Sequence, residues 1–560
     1  MPPTPHRRLV ALALLLSLAA PAMAAPKRSR PAATTDHPPA AVIAAGRAVD
    51  PARLEAHVRA LADDAMEGRG TGTPGYDRAA HYVAEWMQEL GLEPGGDGGY
   101  LQPVPLLRAR LRSEACAFEL RRGDESLPLE VGRDVLLAPD FLRTKWTTEA
   151  PLVFVGYGVS APELNHDDYA GVDVRGKVVV QFRGAPPRFP NDERAYYSNG
   201  QMKDQMAVAR GAIGVLTLIK PSDEARQPWA RNMRQNRLPG FRWLDEGGAP
   251  AQTHAGLEIT GQVGRTAAER LFDGAAVDFL TAATDADSSR AQGFPLTWSV
   301  KAVRVTEQER ASSPNVIGVL RGSDPRLRDE CIVVSAHLDH LGIGEPVHGD
   351  SIHNGAYDNA SGVAMMLETA RAFTAPGARP RRSVVFLAVT GEEKGLQGSD
   401  HFAQHPAPDS MTVVGNVNLD MVLLLRPLRK VVAIGAEHSS FAGVMSRAAT
   451  LAGLELIPDP TPAEVVFVRS DQFSFVRQGI PAVFPVSGHD GSAEGRDEVA
   501  GWRVDHYHGP NDDLSQPFDW PSGARFTSMA FWATWLAADA ARAPHWNPGD
   551  FFGTRFGPRP

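Results

Sequence analysis

Five short apolar runs, at 332–336, 383–389, 413–419, 431–434 and 482–486, constrain this chain more than any other feature. They alternate with helical patterns near 361–374 and 440–453, which predicts an α/β domain, a sheet with helices packed on it. A last helix over about 522–541 carries Phe526, Met529, Trp532 and Leu536 at helical spacing and reads as core. Three of the runs stop on polar chemistry. His337 and Asp339 follow the first, Glu392 and Glu393 follow the second, and Asp420 follows the third. In open α/β sheets the carboxyl ends of the strands line the crevice where ligands bind, so these acids and this imidazole converge.

Two loops add candidates: Asp358 within 355–362, and His506, His508 and Asp512 within 505–512. Only two cysteines are present, Cys116 and Cys331, which excludes a disulfide scaffold and a thiolate-rich metal site. A metal here must take imidazole and carboxylate ligands. Two imidazoles and three carboxylates suit zinc. They exceed what one four-coordinate ion needs beside a water, and they suit two ions sharing a bridging carboxylate. One of Glu392 and Glu393 then binds metal while the other stays unbound and takes a proton from water; spacing leaves their order open. It also leaves open whether His506 or His508 is the ligand. Asp339, two residues after His337, is placed to accept the ring's second N–H and fix its tautomer.

The rest of the chain is organised around this region. Residues 50–94 read as two helices about the turn 70–75, which matches GxGxxG but follows a helix and so is a turn, not a phosphate loop. Short β-rich runs such as 151–155 and 177–181 make 112–300 a separate inserted lobe without chemistry of its own. At the start, His6, Arg7 and Arg8 precede the apolar run 9–20 and the small-residue site Ala22-Met23-Ala24, a cleavable secretory signal. About a dozen apolar residues do not span a bilayer, so no stable membrane anchor is expected after cleavage. The plan is therefore a signal peptide at 1–24, a Pro/Ala-rich tether at 25–49, and the catalytic domain's N-terminal part at 50–111. The inserted lobe at 112–300, the main catalytic part at 301–543 and a tail at 544–560 complete it. With 57 basic against 66 acidic residues the net charge is −9, which argues against nucleic acid as a partner. Export ends in a periplasm or in the medium, and the oligomeric state is left open.

At these residues the sequence resembles the co-catalytic di-zinc aminopeptidase family, related to glutamate carboxypeptidase, the single-zinc glutaminyl cyclases and the transferrin receptor ectodomain. The matching blocks are AHLDH at 336–340, GAYDNASG at 355–362, TGEEKGL at 390–396, NLDM at 418–421 and HGPND at 508–512, in the family's order. EGRG at 67–70 resembles the catalytic domain's N-terminal part, while VFVGYGV at 153–159 and DYAGVDVRGKV at 168–178 resemble a protease-associated insertion. The resemblance implies a mixed sheet flanked by helices and two zinc ions per chain. Asp358 would bridge them, Glu393 and His508 would complete one site, and His337 and Asp420 the other. Glu392 would be the general base and Asp339 would orient His337. The block HGPND selects His508, and His340, His348, His353 and His489 are left as loop residues without a ligand role. Tyr357 and Gln472 depart from the acid and the His that many relatives carry, and the stretch 488–502 adds a loop at the cleft rim.

The implied function is an exopeptidase, an aminopeptidase in which a metal-bridging hydroxide attacks the first peptide bond. Met421 beside Asp420 points to apolar N-terminal residues, and the inserted lobe would shade the cleft. The alternatives are a carboxypeptidase or dipeptidase of the same fold, and a receptor-like binding protein, which would lack ligands that this chain keeps.

Overall fold

The computed structural model describes residues 37–557 apart from 225–227 and 489–491. The signal at 1–24, the first part of the tether and His489 lie outside the described residues.

The main sheet is built from β1 (Leu101–Leu111), β2 (Phe294–Leu320), β3 (Glu330–His337), β4 (Ser383–Val389), β5 (Thr412–Asn418), β6 (Lys430–Ile434), β7 (Glu455–Ile457) and β8 (Ala482–Ser487). Their order across the sheet is β1-β2-β4-β3-β5-β8-β6-β7. The central strands β4, β3, β5 and β8 are parallel, with Val333 opposite Val385 on one side and Asn416 on the other. Strands β1 and β2 run antiparallel to their neighbours, and β6 is antiparallel to β8 but parallel to β7, so the sheet is mixed.

Buried parallel strands are apolar on both faces, and β3 and β4 obey this. Ile332, Val334, Val384 and Phe386 enter one core, while Val333, Val385 and Leu387 enter a second core on the opposite face. On the first face lie α1 (Ala40–Arg47), α2 (Pro51–Leu61), α3 (Pro74–Glu89), α5 (Ser361–Phe373) and α7 (Trp520–Asp539). Three further helices matter below: α4 (Trp229–Asn236) in the lobe, α6 (Ala493–Asp505) and α8 (Phe551–Phe556).

Three boundaries differ from the sequence reading. Residues 40–47 are not tether but helix α1: Val42 is buried, the Trp532 indole N–H donates to the Val42 carbonyl at 3.1 Å, and the Ser528 hydroxyl donates to the Gly46 carbonyl at 2.7 Å. The alanines that looked like linker composition are also the strongest helix formers. Residues 493–505 form helix α6, capped by Ser492, rather than a loop. The tail carries α8, whose Phe552 is buried against His438 and Phe467.

The lobe is joined to the main sheet by one continuous strand. Residues 294–305 of β2 pair with the lobe strands Ala117–Arg122 and Lys145–Phe154, and residues 306–320 pair with β1 and β4. Inside the lobe the strand Gly214–Leu218 lies parallel between Val178–Phe182 and Ile259–Val263. Cys116 and Cys331 are both free thiols.

Candidate metal centre

The carboxyl ends of β3, β4 and β5 bring their side chains together. The His337 Nε2 lies 3.2 Å from Asp358 Oδ1 and 3.2 Å from Asp420 Oδ1. On the other side of Asp358, the His508 Nε2 lies 3.2 Å from Asp358 Oδ2 and 3.1 Å from Glu393 Oε2. Each oxygen of one carboxylate thus faces a different His–acid pair. A tetrahedral zinc site with bonds of about 2 Å has ligand–ligand edges of about 3.3 Å, so each half has the span such an ion requires. Two groups of side chains are arranged to hold a cation, His337–Asp358–Asp420 and His340–Asp358–Glu393, and Asp358 belongs to both. Glu392 belongs to neither.

The loops that carry these groups are held from behind. Arg69, 1% exposed, donates to the carbonyls of Leu338 (2.9 Å), Leu61 (2.5 Å), Asn354 (2.6 Å) and Gly355 (2.9 Å). One guanidinium therefore ties the loop after β3 to the loop before Asp358. Gly68 beside it has φ +62°, and a Cβ there would lie 2.3 Å from the His353 carbonyl oxygen, so that approach requires glycine. Asp512 accepts from the backbone N–H groups of Tyr357 at 2.9 Å and Asp358 at 3.0 Å, fastening the His508 segment to the Asp358 loop. The Ser470 hydroxyl donates to Asp420 Oδ2 at 2.6 Å.

Asp339 works differently from the sequence expectation. The His337 Nδ1 meets the backbone carbonyl of Asp339 at 3.0 Å, not its carboxylate. The carboxylate instead accepts from the Glu392 N–H at 3.0 Å and the Thr71 hydroxyl at 3.0 Å. Where the chain turns after β3, the carbonyl points back at the imidazole and the side chain reaches the next strand end. Asp339 thus meets His337 through its main chain and the Glu392 backbone through its carboxylate.

Burial sets the electrostatics. It pushes the Glu392 carboxyl well above its usual range; His337 opposes this, and Glu393, Asp471 and Asp420 add to it. Burial also acts on Glu393, but His508 and His340 outweigh it and hold that acid well below its usual range. Burial disfavours a charged His508, yet Glu393 and Asp358 raise it to about 9. The Arg69 guanidinium, lowered by burial to about 10, spends its donors on carbonyls. The acids therefore gather at the strand ends, where the buried Glu393 Oε1 faces His340 Nδ1 at 2.9 Å and the His340 Nε2 has no hydrogen-bond partner among the described residues. A buried cluster of carboxylate oxygens and imidazole nitrogens, all of them zinc-type donors, fits divalent cations.

His506 stays out of the centre: its ring stacks on Trp502 and its Nδ1 meets the Asn511 carbonyl at 3.1 Å. His340 does not. It is fully buried, and its Nδ1 lies 2.9 Å from Glu393 Oε1 and 3.9 Å from Asp358 Oδ2, so it is part of the wall and not a plain loop residue. Its position three residues after His337, on the same strand-end segment, was the available signal. His353 is buried in the hairpin strand Asp350–His353, and His348 is exposed at a turn. Tyr357 stacks on Phe518 with ring centroids 4.2 Å apart, and Gln472 accepts from Asn418 at 3.0 Å and donates to the Phe467 carbonyl at 2.8 Å; both pack rather than ligate. A cleft of about 760 Å³ between lobe and catalytic domain shares Arg234, Leu238, Gly344 and Glu345 with a small recess at His508.

The peptidase family M28 model matches residues 315–533. Among sequence relatives, the chain is 40% identical over 109 residues to a probable zinc metalloprotease of Pyricularia oryzae, covering 19% of this chain and 20% of that protein. It is 34% identical over 155 residues to a probable zinc metalloprotease of Pyrenophora teres, covering 27% of this chain and 32% of that one. The chain thus spans a third or less of the length of these relatives. An aminopeptidase from Aneurinibacillus sp. strain AM-1 shares the fold at TM-score 0.52 and 19% identity, over 90% of this chain and all of that one. The part of the chain that this family model matches, residues 315–533, carries the strand-end acids and both the His337 and His508 imidazoles that face Asp358.

Proposed function

We propose that this chain is an exported zinc-dependent exopeptidase, an aminopeptidase that releases N-terminal residues from peptides. The observation that supports it most is Asp358, whose two oxygens each face a separate His–acid pair, with Glu392 standing beside them outside both groups. Two ions would be held, one by His337, Asp358 and Asp420, the other by Asp358, Glu393 and His508. When bound, they would supply Lewis-acid polarisation of the scissile carbonyl and a more acidic water.

The chain's own residues do the rest. Glu392, its backbone pinned by Asp339, takes a proton from the attacking water and returns it to the leaving amine. The acidic cluster attracts the free α-amine of a substrate, which favours cutting at the N-terminus. Met421, in a left-handed conformation at φ 46° immediately after Asp420, lines the pocket for an apolar first side chain. The lobe restricts access to short or unfolded peptides. The signal at 1–24 directs export, which N-terminal sequencing of the protein recovered outside the cytoplasm checks.

The deciding experiment measures zinc content and hydrolysis together. Two zinc per chain, cleavage of leucyl substrates with a free N-terminus, and loss of that cleavage on chelation are expected. Cleavage confined to C-terminal residues would move the reading to a carboxypeptidase, and a chain that binds no zinc would end it.

A further inference from the structure

Helix α4 of the inserted lobe reaches the metal centre. One of its faces belongs to the lobe: the Trp229 indole donates to the Arg133 carbonyl at 2.7 Å, Asn232 donates to Gln262 at 3.3 Å, and Asn236 donates to the Leu137 carbonyl at 3.1 Å. Residues three and four apart share a helix face, and 229, 232 and 236 follow that spacing. A second face carries Arg231 and Gln235, four apart, and both contact the segment 503–508 outside the lobe. Arg231 donates to the carbonyls of Val504 at 2.8 Å and Arg503 at 3.3 Å, and its guanidinium sits 5.9 Å from the centre of the Tyr507 ring. The Gln235 amide lies 2.7 Å from His508 Nδ1.

That contact falls on the nitrogen that faces away from Asp358 and Glu393. His508 itself stands on a short segment after α6, at φ 59°, a conformation that costs a non-glycine residue and needs outside support. For Nε2 to present a lone pair to a cation, Nδ1 must carry the proton and donate it. The oxygen and nitrogen of a glutamine amide have the same shape, so the acceptor at 2.7 Å is the amide oxygen when the imidazole is a ligand. We propose that Gln235 is the positioning residue for His508. The lobe thereby holds the tautomer and the orientation of an imidazole that belongs to the catalytic domain. On this account the lobe completes the Glu393 side of the centre, beyond covering the cleft. The inference rests on the reading of His508 as a zinc ligand.

The test compares wild type with Gln235→Leu and Gln235→Glu in the full chain, using zinc alone as the probe and competition with a chromophoric chelator as the readout. Loss of such an outer partner weakens metal affinity by about ten- to a hundredfold. Gln235→Leu is expected to weaken one of two zinc sites by that factor, with the other site and the thermal midpoint of the metal-free protein unchanged. Gln235→Glu, which keeps an oxygen acceptor, restores the affinity. Equal affinities for wild type and Gln235→Leu, or no restoration by Gln235→Glu, would overturn the inference alone. A wild type that binds no zinc would instead overturn the proposed function, and this inference with it.

Discussion

At the scale of single residues, the centre depends on side chains that never touch a substrate. Arg69 is the strongest case, because four backbone carbonyls, one from the end of α2 and three from two loops, share its donors. Arg69→Met leaves buried acceptors unpaired, and since each costs about 1–3 kcal/mol, we expect about 3 kcal/mol or more of lost stability in denaturant titration. Glu392 gives the complementary prediction. It lies in neither candidate ligand group, so Glu392→Gln should keep the zinc content of wild type while kcat falls by about 10²–10⁴ or more. Metal analysis and steady-state kinetics on one preparation check both halves. These two residues also divide in legibility. The Glu pair announced itself at a strand end, whereas Arg69 sits 268 residues before His337 and its partners are main-chain atoms, which no residue pattern records.

Among the elements, the central strands were readable because burial on both faces leaves a continuous apolar run, and β4 occupies the span 383–389 that its run predicts. Helix α1 was not, because eight residues, half of them alanine, carry too little periodicity to separate a docked helix from a linker. Its contact with α7 is close: a Cβ on Gly46 would lie 2.5 Å from the Trp532 ring, which is itself buried. Gly46→Ala must displace that indole, and we expect about 1–3 kcal/mol of destabilisation with zinc content unchanged. At the other end, Phe552 anchors α8 among His438, Phe467 and Phe473. Phe552→Ala should cost about 3–5 kcal/mol, read in the same titration.

For the molecule as a whole, the centre gathers buried carboxylates whose charge bound cations would neutralise. Asp339, Asp358, Glu393 and Asp420 are drawn together between strand ends while Arg69 gives its donors to carbonyls. A ligand that binds only the folded state stabilises it by about 4 kcal/mol at a thousandfold excess over its dissociation constant. Chelation should therefore lower the thermal midpoint by several degrees, and added zinc should restore it; an unchanged midpoint would contradict a cation site here. The sequence by itself determined which residues could do chemistry, because strand ends, acids and imidazoles are local features whose spacing follows from the period of the elements. Only the tertiary structure decided how they are held. It moved the His337 contact from the Asp339 carboxylate to its carbonyl, placed His340 in the wall, and set Gln235 against His508 across 273 residues. Those are contacts between segments distant in the chain, and close packing in three dimensions, not periodicity, selects them.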